Sequence, residues 1–351
     1  MALAPSARGR LAWFGRPQTD QRDRTLNRRT FVVALGGGLI ASRTRSEVRT
    51  SARVGWVGGW YSPSAAASLL DAFRQGMREH GYVEGQNLTI DDRWMEGNSI
   101  DEATRLTTQL VQSNVDILVA LGQAVPGVKA GAGSLSVVFG FSGDPVAAKL
   151  VTSLARPGGN LTGFTLLAPD LAGKRVELLK EAAPHVLRLA ALTNPLHPGE
   201  EQELRATQIA ASRLGLTLQS YPVRTVGEVI AALEGMKSDH IDGVVALSNL
   251  LIMRERSAIA EFAAKYQLPT ISGWQDFAVD GNLLSYGPNI ENAWRNVAAT
   301  YVDKIIKGTK PADLPVRQPT EFQLVINQRT AKALGLSIAP SLLIQANRVI
   351  D

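Results

Sequence analysis

Several apolar runs in this 351-residue chain stop abruptly in small or polar residues. One ends in Gly58-Gly59-Trp60-Tyr61-Ser62, others in Gly122-Gln123-Ala124 and Ser142-Gly143-Asp144, and a later group in Thr193-Asn194-Pro195, Ser248-Asn249 and Ser285-Tyr286-Gly287. Hydroxyls, amides and glycine-flanked backbone N–H groups of this kind can hold an anion, and Asp144 can hold a cation. Trp60, Tyr61, Trp274 and Tyr286 can stack on a flat ligand. Each residue also has a purely structural use. Asp144 before Pro145, and Ser62 before Pro63, read as helix N-caps followed by the first helical position. Asn194-Pro195 reads as a turn, Ser248-Asn249 as a cap, and a lone aromatic at a strand end as core. The two uses are compatible, because a capped helix N-terminus facing a cleft still offers further N–H donors.

No reactive set accompanies these residues. His80, His185, His197 and His240 show no HExxH or other metal spacing. Gly140-Phe141-Ser142-Gly143 lacks the second glycine that a nucleophile elbow needs. There is no Walker A sequence, and Gly131-Ala132-Gly133 follows a helical stretch and lacks the third glycine of a dinucleotide fingerprint. With no cysteine in the chain, disulfides, Cys-based zinc sites and thiol catalysis are excluded. The pattern suits holding a molecule rather than transforming one, and no catalytic residue, metal or cofactor is expected.

Gathering these residues at one edge requires parallel strands that all end on the same side. Short apolar runs alternate with helix-period segments from Arg53 onward, the signature of strands joined by crossover helices. Strands are expected at Arg53–Gly59, Leu88–Trp94, Ile117–Leu121, Val137–Phe141 and Leu161–Thr165. Between the first two, Ala66, Leu69, Leu70, Phe73 and Met77 mark one apolar face of a helix over Ser64–His80. The alternation then restarts, with strands at Leu189–Thr193, Leu218–Pro222, Gly243–Leu247, Thr270–Ser272, Leu283–Tyr286 and Phe322–Ile326. Helices are expected near Lys174–Ala183, Glu200–Leu214, Val226–Lys237, Ile252–Tyr266 and Ile290–Lys307. In parallel α/β sheets ligands bind beyond the carboxyl ends of the strands. Two such sets imply two polar edges facing one another across a cleft.

Composition sets the outer bounds. The chain is 45% hydrophobic and 20% charged, long enough for two lobes of about 150 residues each. No apolar run approaches the roughly 18 residues of a membrane span. The formal charge of +5 is concentrated in the first 52 residues, which hold ten arginines and three acids; the remainder has 27 basic and 29 acidic residues. A nucleic-acid partner is therefore not expected. Within that leader, Arg28-Arg29 precedes Thr30, Phe31 and a short glycine-softened apolar segment ending near Ser42. This resembles a twin-arginine-like (or Sec) export signal, with cleavage between about Ser42 and Ala52.

The blocks YVEGQN (Tyr82–Asn87), RWMEGN (Arg93–Asn98), SGDPVAAKLVTSLARPGGNLTGFT (Ser142–Thr165), KRVELLKE (Lys174–Glu181), SYGPN (Ser285–Asn289) and LVINQRTAKALGLSIAPSLL (Leu324–Leu343) resemble, in their order, the substrate-binding proteins of ABC importers. The similarity is to the branch that includes tryptophan/tyrosine-type binders. It implies an α/β, two-lobed type I periplasmic-binding-protein fold, each lobe a parallel sheet flanked by helices, with three crossover strands near Leu161–Thr165, Leu283–Gly287 and Phe322–Asn327. Lobe 1 would comprise 53–162 plus 286–313, and lobe 2 163–285 plus 314–351, after a leader over 1–52. The resemblance further implies a monomeric periplasmic receptor that delivers a small ligand, an aromatic or related amino acid, to an ABC permease in the inner membrane. The expected ligand-binding residues are Trp60, Tyr61, Ser62, Gly122, Gln123, Ser142, Asp144, Asn194, Ser248, Asn249 and Tyr286. Ser62, Gly122, Gln123 and Ser142 would hold a carboxylate, Asp144 or a lobe-2 polar group an ammonium, and Trp60, Tyr61 or Tyr286 the side chain. Two other readings remain open at this point. A sensory or regulatory module shares this fold, but a DNA-bound regulator needs an N-terminal helix-turn-helix that residues 1–52 lack. An α/β enzyme is the third.

Overall fold

The computed structural model describes residues 51–59, 67–97 and 99–351. Trp60, Tyr61, Ser62, the expected Ser62 cap and residues 1–50 of the export leader lie outside them, while Ala52, placed in the leader by the sequence, pairs with Leu88 as the first residue of strand Ala52–Gly58. In the first lobe, β1 (Ala52–Gly58), β2 (Leu88–Trp94), β3 (Ile117–Leu121), β4 (Val137–Phe141) and β5 (Leu161–Thr165) form a sheet in the order β2-β1-β3-β4-β5, with every pair parallel. β3, β4 and β5 are buried along their whole length, as near-continuous apolar strands are when helices cover both faces. Helix Ala67–Glu79 turns Leu70, Phe73, Gly76 and Met77 inward, the expected 3.6-residue stripe.

The second lobe repeats the plan. Strands β6 (Arg188–Thr193), β7 (Thr217–Pro222), β8 (Gly243–Ala246), β9 (Thr270–Ser272) and β10 (Leu284–Pro288) are parallel and run β7-β6-β8-β9-β10. Two strands extend this sheet: β11 (Phe322–Asn327), antiparallel to β10, and β12 (Arg348–Ile350), parallel to β11. In both lobes the strand order reverses next to the first strand, between β1 and β3 and between β6 and β8. In a parallel α/β sheet such a reversal marks the place at the carboxyl edge where ligands bind.

The chain passes between lobes three times. The first passage follows β5, which pairs wholly with β4 in the first sheet. The second follows β10, where helix Ile290–Asn292 continues through a π-helical turn, Ala293–Ala298, into Ala299–Ile306. That segment belongs to the first lobe: the Trp294 ring lies 5.0 Å from both Trp56 and Phe164. The third precedes β11, since Arg317 still bridges to Phe164 of β5.

Some local expectations are corrected. No helix follows β4: residues 145–149 wind as turns, Lys149 takes φ +56, and Asp144 caps the turn instead of a helix. The helix expected over Ile252–Tyr266 starts earlier, at Leu250, where Asn249 Oδ1 caps it through Ile252 N–H, and it is interrupted at Glu255 into Leu250–Arg254 and Arg256–Tyr266. The C-terminal stretch adds helices Gln328–Ala333 and Pro340–Gln345 before β12.

Candidate functional site

A cavity lies where the carboxyl edges of the two sheets face each other, enclosing ≈ 760 Å³ of atom-free space with its open mouth. The first lobe supplies Leu69 from helix Ala67–Glu79, Gly122 after β3, Ser142 after β4 and Phe164 from β5; Trp294 comes from the returning helix. The second lobe supplies His197 after β6, Ser248, Asn249, Leu250 and Met253 after β8, and Trp274 and Asp276 after β9. Most of this wall is apolar and aromatic, with a few polar groups at strand ends, the usual composition of a small-molecule site. Gly122 adopts φ +52, which a glycine reaches without strain, and Leu250 of the opposite lobe packs over it: a Cβ there would lie 3.3 Å from Leu250 Cδ1.

The lobes touch directly beside the cavity. Gly199 N–H donates to His197 Nδ1 at 3.3 Å, so the ring proton sits on Nε2, which donates to Ser142 Oγ across the seam at 2.9 Å. The imidazole also stacks on Phe141 with centroids 5.7 Å apart and planes at 11°. Burial pulls the His197 pKa down from 6.5 to about 4, keeping it neutral at ordinary pH. Next to this contact Gly143 and Gly199 meet backbone to backbone: a Cβ on either would stand 2.6 Å from the other's Cα.

Behind the second-lobe wall is a buried polar network. Glu203 receives Arg175 Nη1 at 2.6 Å, Ser248 N–H at 3.1 Å and Ser248 Oγ–H at 2.9 Å. Arg175 Nε donates to the Tyr286 carbonyl at 2.9 Å, tying helix Ala168–Ala182 to β10. Burial lowers the Arg175 pKa, and the Glu203 carboxylate opposes that shift. Glu200 accepts Asn194 N–H at 2.6 Å and Asn249 Nδ2–H at 3.0 Å. Its pKa is raised well above the ordinary value, first by burial and then by Glu203. A paired buried charge of this kind fixes geometry more than it adds stability.

At the β9 end the charges are arranged differently. Arg256 Nε lies 2.6 Å from Asp280 Oδ2 and its Nη1 donates to the Met253 carbonyl at 2.9 Å. The half-buried Asp276 carboxyl has its pKa raised by burial and by Asp280, against the pull of Arg256 and Arg348.

Of the residues expected from the sequence, Gly122, Ser142, Ser248 and Asn249 line the cavity. Gln123 is buried beside Gly59, and neither amide atom is hydrogen-bonded to a described residue. Asn194 is buried under the wall, its Oδ1 accepting Leu196 N–H at 3.0 Å and its Nδ2 without a partner among the described residues. Asp144 lies away from this cavity and lines a neighbouring groove with Asp170 and Gln202; its Oδ1 takes Val146 N–H and Ala147 N–H. Tyr286 turns toward Phe322, ring centroids 6.2 Å apart, and uses its carbonyl for Arg175. Trp60, Tyr61 and Ser62 fall outside the described residues. The sequence reading missed His197, Asp276, Arg256, Trp294 and the Arg175–Glu203–Glu200 network. A signal for the network existed: Glu200 and Glu203 share a 3.6-residue stripe with buried Thr207 and Ala210, and Arg175 shares one with Leu171 and Leu179. Among the described residues no group of three His, Asp or Glu side chains could hold a metal ion, and no helix is long and apolar enough to cross a membrane.

The fold matches known proteins. A family model described as ABC transporter substrate binding protein matches residues 62–350. A tyrosine-binding protein of Clostridioides difficile (strain R20291) is 23% identical over 268 residues, covering 75% of each chain. A solved Streptococcus pneumoniae ABC domain in complex with L-Trp is 25% identical, spans 86% of this chain and 100% of its own, and superposes with a TM-score of 0.78. A conserved domain protein from Vibrio cholerae is 26% identical over 85% of this chain and 99% of its own, with the same TM-score of 0.78.

Proposed function

The chain belongs to the ABC transporter substrate-binding protein family, and from that premise we propose that it is a monomeric periplasmic receptor, exported on its N-terminal signal, that carries an aromatic or related amino acid to an inner-membrane ABC permease. It acts without catalysis and without a nucleic-acid partner. The observation that carries this reading is the cavity between two parallel-sheet edges, with an aromatic wall of Phe164, Trp274 and Trp294 and lobes that meet over it through His197 and Ser142. The L-Trp complex and the tyrosine-binding relative support the aromatic part. Gly122, Ser142, Ser248 and Asn249 are the expected residues we keep as ligand contacts, together with Trp274 and Trp294. The lobes are taken as 53–162 with 286–313 and 163–285 with 314–351; we move the margins to the end of β5, the end of β10 and Arg317, where strand pairing changes lobe.

Native mass spectrometry of the purified protein, followed by calorimetry against the proteinogenic amino acids, tests the reading. An aromatic or closely related amino acid should bind with micromolar or tighter affinity. Folded protein that binds none of them removes the amino-acid assignment.

A further inference from the structure

The cavity wall is mostly apolar, but three charged side chains stand on it: Glu291 from the helix that returns to the first lobe and, on the second-lobe side, Asp276 and Arg256, which do not pair with one another. Asp276, in the first turn of helix Gln275–Val279, lines the cavity, and its carboxylate makes no hydrogen bond or ion pair with any described residue. Arg256, the first residue of helix Arg256–Tyr266, lines the same cavity. Its Nε lies against Asp280 and its Nη1 donates to the Met253 carbonyl, while Nη2 has no partner among the described residues. The two groups feel each other's field but form no salt bridge. An unpaired charge in a water-poor cleft is costly, and its solvation must be replaced by a partner. A neutral guest would leave the Asp276 charge unanswered and give no anion to Arg256 Nη2, whose guanidinium Asp280 already balances, and a singly charged guest would satisfy only one of the two. A guest that answers both carries a cation and an anion in one head group, as a zwitterion does. Trp274 and Met253 flank the pair and offer apolar surface to whatever that head group carries.

We propose that Asp276 and Arg256 clamp the ammonium and the carboxylate of an α-amino acid at the second-lobe wall, making them the specificity-determining pair of this site. This rests on the amino-acid reading given above. It also moves the cation-binding role from Asp144, whose carboxylate is occupied by the turn it caps, to Asp276.

The test is a calorimetric cycle on the whole protein. The ligands are L-tryptophan or L-tyrosine, whichever binds tighter, its decarboxylated amine (tryptamine or tyramine) and its deaminated acid. These are titrated into wild type, Asp276→Asn and Arg256→Gln, with ligand-free melting curves checking that each variant is folded. In wild type, removing either charged group should weaken binding at least about tenfold, the scale of a charge-assisted hydrogen bond. In Asp276→Asn the amino acid itself should bind about tenfold or more weaker, and loss of the amine should then cost less than about threefold, while the penalty for losing the carboxylate persists. Arg256→Gln should show the converse. The clamp is refuted, with the amino-acid reading intact, if Asp276→Asn keeps wild-type affinity or wild-type discrimination against the deaminated acid. If folded wild type binds no amino acid at all, the clamp and the reading it rests on fall together.

Discussion

Acid should weaken ligand capture through His197. In the closed cleft the imidazole is neutral, donates to Ser142 across the seam and has its pKa pulled down by burial to about 4. A receptor of the proposed kind must part its lobes to admit a ligand, and parting them would remove Phe141 and Ser142 from the ring and return it to water, where its ordinary value of 6.5 applies. The open form therefore takes up a proton that the closed form refuses. The contribution to closure is fully present above the ordinary value and fades as pH falls toward the depressed one. At about pH 5.5 the open form gains a factor of about ten over the closed form, or about 1.4 kcal/mol, relative to about pH 8. Calorimetry of the tightest-binding amino acid across this range should show wild-type affinity falling by about that factor. His197→Gln, which keeps a donor but does not titrate, should lack this part of the fall. Glu200 and Asp276 titrate in both proteins, so the difference between the two curves isolates the histidine. Parallel curves would mean that His197 does not sense closure, and the reasoning from its interlobe burial would be wrong.

Three further expectations follow from the same contacts. Gly199→Ala adds a Cβ at an ordinary φ of −108, so the open protein should melt within about 0.5 kcal/mol of wild type, while the 2.6 Å approach to Gly143 should cost closure about 1–3 kcal/mol and ligand affinity accordingly. Asp144→Ala should lose about 1 kcal/mol in urea unfolding by uncapping Val146 and Ala147, yet leave calorimetric affinity unchanged. Arg175→Met should cost about 3–5 kcal/mol in urea unfolding by stranding Glu203, and Arg175→Met with Glu203→Leu should recover most of that loss.

Much of the architecture was readable before any coordinates. Each parallel strand is a local event, an apolar run bounded by turn residues, and β4 and β5 appear where Val137–Phe141 and Leu161–Thr165 announce them. The restart of the alternation gave the second lobe for the same reason. The candidate site was legible only as an edge. Gly122, Ser142, Ser248 and Asn249 reach the cavity because strand direction alone puts strand ends there. Asp144 and Tyr286 sit at equally plausible strand ends and point elsewhere, since a capping bond holds one and a ring contact with Phe322 holds the other.

The sequence by itself determined the alternation of strands and helices, the absence of thiol chemistry and the polar rim on one edge of each sheet, because backbone periodicity and residue chemistry act over a few neighbouring positions. Only the tertiary structure decided which rim residues share a wall. His197 and Ser142 are separated by 55 positions, and Arg175 and Glu203 by 28, before the chain brings them within hydrogen-bond reach. A buried charge or a neutral histidine is created by the packing around it, and that packing comes from segments distant in the chain.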